Sequence, residues 1–395
     1  MSKKKIVNIR TPEELIEKFA LDVINLPSNT RYKELENCVI HFSISLPFSS
    51  TDYRFPQGKY PKDLKFKNCT FKKGIRIRNS SNNLTFQNCK VYGEFNLRNC
   101  TFDKKARFRK CTFFEKTDFS NTVFNDLADF WRSTFKKETI FFKTDFLATV
   151  VFSAATFHEN VLFTYSLIEK LAIFRGTEIL GGLDLSTAIL AGELGIFDFS
   201  LNDFKSDPKV LSENNYEQEI SENGNIPIKN KRETFRILKK IHESQNNIVA
   251  SLPFKVIEKK TLFKESWHGL KHGNSIFKNL SNLFILFFNF LSNYFGIAFF
   301  QGIFFTIGMG ILFFYLCMIY TTKYLFAWHL DSQIIMDNIP AFANFLLPTH
   351  KFDYLGSDFT KSFSFSNSFF LFDILGRIFV GYGIYQTIQA FRKFR

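Results

Sequence analysis

One apolar side chain returns at every eleventh position for most of the first half of this chain, and no member breaks the spacing. The series reads Phe86, Leu97, Phe108, Phe119, Phe130, Phe141, Phe152, Phe163, Phe174, Leu185, Ile196. A second series starts five positions later and reads Val91, Phe102, Phe113, Phe124, Phe135, Phe146, Phe157, Ile168, Ile179, Leu190, Leu201. Such regularity marks a repeat architecture, in which each unit buries its apolar face against its neighbours. Composition agrees: Phe occurs 54 times, against 4 Met and 3 Trp, as expected when one aromatic fills many equivalent positions.

A period of eleven is also three turns of helix. At about 100° per residue, however, positions five apart fall roughly 140° around a helix and do not share a stripe. The repeat is also rich in Phe, Thr, Asn and β-branched residues, which suit strands better than helices. An extended reading works. Position i−2, filled by Cys89, Cys100, Cys111, Thr122, Ser133, Thr144, Ala155, Ser166, Thr177 and Ala188, points to the same side as position i. A corner then resets the direction. Stacked coils bring Phe108, Phe113, Phe119, Phe124, Phe130, Phe135, Phe141, Phe146, Phe152 and Phe157 into core ladders, at the strand spacing of about 4.8 Å.

The units Cys100-Thr101-Phe102, Cys111-Thr112-Phe113-Phe114-Glu115-Lys116-Thr117-Asp118-Phe119-Ser120-Asn121 and Asp129-Phe130-Trp131-Arg132-Ser133-Thr134-Phe135 resemble the pentapeptide-repeat superfamily. The resemblance covers roughly residues 61–204. It implies a mainly β fold: a right-handed quadrilateral β-helix with two of the repeating units per coil. Spacing alone leaves two-sided and four-sided coils open.

Upstream, Phe66, Phe71 and Ile77 precede their counterparts Phe86, Val91 and Leu97 by slightly less than two full units, so that coil is shorter by two positions. Asn37-Cys38-Val39-Ile40 is similar to Asn68-Cys69-Thr70-Phe71, which places a degenerate first coil near residue 35. The repeat domain is therefore expected over 35–204, behind an N-terminal cap region, 1–34. An open solenoid end exposes strand edges and needs covering. Thr11-Pro12-Glu13-Glu14 has the pattern of a capping box, and Leu15, Phe19, Val23 and Leu26 follow at helical spacing, predicting a cap helix over 11–26.

Beyond the repeats, 205–230 reads as a polar linker and 231–275 as an amphipathic helical neck, with Pro253 in the first turn of its second helix. Residues 276–294 mix Lys278, Asn279, Asn282, Asn289 and Asn293 with Phe and Leu, as in a helix lying on a bilayer surface. The domain 295–395 is expected to hold two transmembrane helices, about 297–320 and 368–390. The string 232–240 and the C-terminal ending resemble a membrane-bound bacterial group of pentapeptide-repeat proteins.

Lysines and arginines concentrate before the first span and after the second, while 321–367 holds only Lys323, Lys351 and Lys361. The positive-inside rule then places the repeats and both termini in the cytoplasm, with the intervening loop outside a bacterial inner membrane. The basic start has no apolar segment behind it, so no signal peptide is expected. The six cysteines lack CxxC spacing and read as packed thiols.

No catalytic constellation is visible. His268 and His272 share a helix face without a third ligand, so neither metal nor cofactor is expected. Val380-Gly381-Tyr382-Gly383 is similar to a potassium-filter string but lies inside an apolar segment. The net charge is +14, and it is polarised: residues 61–116 carry fifteen Lys and Arg, densest at Lys104, Lys105, Arg107, Arg109 and Lys110. That patch suits an anionic partner. Nucleic acid is not the expected one, because the aromatics point inward. Four polar residues fall in the second span: Asp373, Arg377, Gln386 and Gln389. The primary expectation is a non-catalytic, membrane-anchored scaffold that contacts the lipid bilayer and a cytosolic protein. The alternative is a homo-oligomeric pore or permeabilising effector lined by those four residues and gated by the β-helix.

Overall fold

A computed structural model describes residues 6–15, 17, 32–46, 63–207, 224–273, 275–320, 338–352, 354 and 367–392. The chain divides into two compact units, Met1–Ile241 and His242–Arg395.

The first unit is a four-sided solenoid. Its sides are parallel sheets of nine, eight, seven and five strands, most strands being two or three residues long. One turn takes two of the repeating units, so Phe113 pairs in register with Phe135 and Phe135 with Phe157. Where the sequence slips, the shorter coil still stacks ring on ring, with Phe66 paired to Phe86. The first coil is real: Ile40 pairs with Phe71.

Because a coil takes two units, each inward series splits into two columns, built mostly of rings. Phe86, Phe108, Phe130, Phe152 and Phe174 stack at centroid distances of 5.7, 5.3, 5.1 and 4.9 Å. Neighbouring columns meet edge-on, as for Phe119 and Phe130 at 5.3 Å, a favoured aromatic arrangement. The small residues at i−2 also have a chemical task. Thr122, Thr144 and Thr177 donate their hydroxyls to the carbonyls of Leu97, Phe119 and Phe152, in the preceding coil, at 2.6–2.8 Å. A small inward donor thus satisfies a buried carbonyl of the coil below.

Corners require a left-handed residue immediately before i−2. Asn37, Asn68, Asn88, Asn99 and Asn121 hold φ between 52 and 58° there, and Lys110, Arg132, Lys143, Ala154 and Tyr165 take over at similar angles. Asn tolerates this conformation better than most residues. It also links coils: Asn121 donates to Asn99 at 3.1 Å and Asn88 to Asn68 at 2.7 Å.

Both ends differ from expectation. At the start, Val7–Ile9 is a strand that pairs with Cys38–Ile40, so the solenoid begins inside the region assigned to a cap. Residues 12–15 are helical. Thr11 Oγ1 accepts from Glu14 N at 3.3 Å, and the Glu14 carboxylate takes Arg10 N at 2.7 Å. The rest of the expected cap helix, 18–26, lies outside the described residues.

At the other end, 224–230 is not a linker. Asp207 bridges Pro227, and Ile226 packs with Ile140, Phe142 and Leu162. The helix that follows, α1 (Ile228–Ser244), belongs largely to the solenoid unit rather than to a free neck. An uncovered last coil exposes apolar side chains, and α1 covers it with the buried Phe235 and Leu238.

The second unit is helical: α2 (Ile248–Lys271), α3 (Ile276–Asn293), α4 (Phe299–Ile319), α5 (Ile339–Phe345) and α6 (Asn367–Phe391). Asn247 caps α2 by accepting from Ala250 N, which puts Pro253 in the second turn instead of the first. α4 and α6 are each long and apolar enough to cross a membrane. The Val380–Gly383 string is helical throughout.

α4 and α6 form an antiparallel pair locked by small residues. A Cβ on Gly302 would lie 2.6 Å from Thr387 Oγ1, and one on Gly383 would strike Thr306 Oγ1. Small residues four apart on each helix thus allow close backbone approach. The segment between the two candidate spans is not wholly a loop away from them. Phe342 and Leu346 pack over Gly310, Phe345 over Gly376, and Pro348 over Gly381, all well inside the two helices.

Candidate functional sites

The basic patch occupies one strand and its two corners. In Ala106–Arg109 the pleat turns Ala106 and Phe108 inward and Arg107 and Arg109 outward. The structure separates the five residues. Arg109 is bound within the chain, its Nε donating to Asp129 Oδ2 at 2.5 Å, and Arg107 is half-buried. Lys104, Lys105 and Lys110 are exposed, and Lys110 lies over the Trp131 ring at 5.1 Å. On the same sheet, Lys65 and Lys67 are paired to Glu34 at 3.1 and 3.6 Å.

Where α1 meets the last coils, a polar cluster closes the solenoid. Asp184 is fully buried and accepts from Thr164 Oγ1 at 3.1 Å, Ser186 N at 2.9 Å and Asn230 Nδ2 at 2.8 Å. Thr234 Oγ1 accepts from Leu185 N at 2.9 Å. Lys231, 2% exposed, reaches Asp203 at 2.5 Å and the Phe204 carbonyl. Beside the cluster is a cleft of about 550 Å³ lined by Glu138, Glu159, Asn160, Asp203 and Phe204. Burial and a shared hydrogen bond with Glu159 raise the Glu138 carboxyl, while Glu138 and Lys137 hold Glu159 down.

The polar residues of the second candidate span mostly face inward. On α6 the buried stripe is Phe369, Asp373, Gly376, Val380, Gly383, Gln386 and Ala390. Asp373 is fully buried and accepts from Arg377 Nε at 2.7 Å. Its other oxygen meets His350 Nε2 at 2.8 Å. His350 Nδ1 faces the Leu347 carbonyl at 2.7 Å, so both ring nitrogens point at acceptors. One proton must therefore sit between His350 and Asp373, on one atom or the other. Gln386 donates to Asn289 Oδ1 at 3.2 Å, Tyr382 donates to the same oxygen at 2.9 Å, and Asn293 donates to the Gln386 carbonyl at 3.1 Å. Of the four, only Gln389 is exposed, donating to Tyr385.

Among the described residues, no group of three or more His, Cys, Asp or Glu is placed to hold a metal. His268 and His272 stack on each other at 4.1 Å. All six cysteines are buried thiols.

Residues 97–145 match the family model for pentapeptide repeats, in nine copies. The solenoid is a pentapeptide-repeat domain. Its register continues on both sides of that match, from Phe66 to Leu201. No curated protein and no solved structure matches the chain.

The pentapeptide-repeat ladder is plain in the sequence because one residue type repeats at one spacing. The cap of the domain is not, since Asn230 and Asp184 are far apart in the chain and neither stands out locally. The inward stripe of α6 does leave a signal: Asp373, Gly376, Val380, Gly383 and Gln386 follow steps of three and four. His350, set in a segment between the spans, leaves none.

Proposed function

We propose that this chain is a membrane-anchored, non-catalytic scaffold: the pentapeptide-repeat domain presents a rigid surface to a protein partner, and the α4–α6 hairpin tethers it. The observation that carries this reading is the hairpin itself. Its small residues interlock, and the buried Asp373 and Gln386 are held by partners within the same chain, which is what an anchor needs in hydrocarbon. Antiparallel packing brings the start of α4 and the end of α6 to the same end of the hairpin. The lysine-rich stretch before α4 and Arg392 after α6 then fall on one side, which supports a cytoplasmic repeat domain. For the pore alternative, Asp373 and Gln386 would have to leave these partners to face water.

The exposed Lys104, Lys105 and Lys110 are the candidate contact for an acidic protein surface. Arg109 is excluded from the test, because a glutamate there would sit against buried Asp129. The triple variant K104E/K105E/K110E is expected to fold normally and to lose partner recovery in photo-crosslinking from intact cells. Unchanged recovery would remove this patch from the account.

A further inference from the structure

The face shared by α2 and α3 is built unlike the rest of the helical unit. The two helices run back to back from the turn at His272 and Gly273, and they come very close at Gly269, where a Cβ would lie 2.6 Å from Asn279 Nδ2. Away from that contact they part around an apolar groove of about 630 Å³. Its walls are Phe263 and Trp267 on α2, one turn apart, and Phe277, Leu280, Phe284 and Phe287 on α3, on one face. These side chains are left open: Phe277 is 90% exposed, Phe284 63% and Trp267 50%. A contiguous aromatic groove of this kind marks a binding surface.

The rim is basic. Between residues 259 and 293 the chain carries five lysines (259, 260, 264, 271 and 278) against the single acid Glu265. Lys264, Lys271 and Lys278 are exposed. Lys264 and Lys271 are two turns apart, with Trp267 between them on the same face, and Lys278 adjoins Phe277. Lys271 Nζ lies 5.7 Å from the Trp267 ring. Apolar walls on two helices that also carry exposed lysines, Lys271 beside Trp267, fit a molecule with an acyl tail and an anionic head. The same helical unit holds the two candidate spans, so such molecules are close by.

We infer that the α2–α3 groove binds an anionic glycerophospholipid, its acyl chain between Trp267 and Phe284 and its phosphate head against Lys264, Lys271 and Lys278. This inference rests on the membrane-anchor reading and adds a chemical preference to it. A lysine-bearing interfacial helix enriches anionic lipid in a diffuse way; a groove adds a saturable site that holds one acyl chain.

Trp267 supplies the reporter. The variant W131F/W328F leaves it as the only one of the three tryptophans. The full chain is placed in phosphatidylcholine nanodiscs containing a small fraction of lipid with brominated acyl chains, either phosphatidylglycerol or phosphatidylcholine. Brominated phosphatidylglycerol is expected to quench Trp267 several-fold more than phosphatidylcholine at equal fraction, and to saturate. Adding K264E/K271E/K278E is expected to equalise the two lipids. Ser281→Phe, which fills the groove without touching the charges, is expected to lower quenching by both. Equal quenching by the two lipids in the unmodified groove, or none by either, would overturn the inference while leaving the anchor intact. Failure of the chain to enter nanodiscs at all would overturn both.

Discussion

Asn230 donates its side-chain amide to Asp184 Oδ2 at 2.8 Å, and this bond joins α1 to the last coils of the pentapeptide-repeat domain. Asp184→Ala would leave Asn230 and Thr164 without their acceptor and is expected to cost about 3 kcal/mol; Asn230→Ala should cost about 1–2 kcal/mol. Because a solenoid frays from its ends, hydrogen exchange should report the loss first around residues 183–201 and only later in 97–145. Uniform loss across the domain would argue that α1 is not its cap.

The neighbouring ion pair is lopsided, and its variants should be too. Lys231 is buried, whereas Asp203 has a side chain 46% exposed. Asp203→Ala removes the counter-charge of a buried lysine, while Lys231→Met removes the buried charge itself and leaves Asp203 to water. Urea unfolding should therefore rank Asp203→Ala as the more destabilising, by about 1–2 kcal/mol.

Phe130 lies between Phe108 and Phe152 and is fully buried. Phe130→Ala is expected to cost about 3–5 kcal/mol. Tyr92 and Phe114 stack just as closely, at 4.3 Å, but outside the core, with Tyr92 40% exposed. Tyr92→Ala should cost about 1 kcal/mol or less. The contrast, read by urea unfolding, separates burial from stacking as the source of stability.

Burial pushes the Cys100 thiol from 9.0 up to about 12. A thiol with a raised folded-state value keeps its proton when the unfolded chain has lost it. Its contribution to stability is thus fully present below pH 9.0 and lost as pH rises toward 12. Cys100→Ala should flatten that alkaline limb, as measured by unfolding between those limits. In the folded protein, iodoacetamide should leave Cys100 unmodified at neutral pH.

Within the helical unit, His350 and Asp373 should be energetically coupled. A double-mutant cycle with His350→Ala and Asp373→Leu, read by denaturation in mixed micelles, is expected to give about 0.6–1.7 kcal/mol, the range for hydrogen bonds within membranes. Asp373→Asn should be milder than Asp373→Leu, because an amide can donate to a neutral imidazole. Additive single effects would contradict the geometry.

These tests fall on features of unequal legibility. The columns through Phe108 and Phe119 can be read in the sequence because identical side chains recur at a fixed step, and a strand's alternation converts that step directly into an inward direction. The pairing of Asp373 with Arg377 is also legible, since the two sit one helical turn apart. His350 is not, because its contact depends on a tertiary fold that returns residues 339–350 to the middle of α4 and α6. The same holds for 224–230. Its polar composition suggests a linker, yet Gly224, Ile226, Pro227 and Asn230 fasten it to the coils.

The central claim is that this chain is a scaffold held in a membrane by its α4–α6 hairpin. Alkaline carbonate extraction of membranes from cells expressing the full chain, followed by protease digestion of inverted and right-side-out vesicles, tests it most directly. The account predicts that the chain stays in the pellet and that the pentapeptide-repeat domain is cut only in inverted vesicles. Release of the chain into the carbonate supernatant would contradict it.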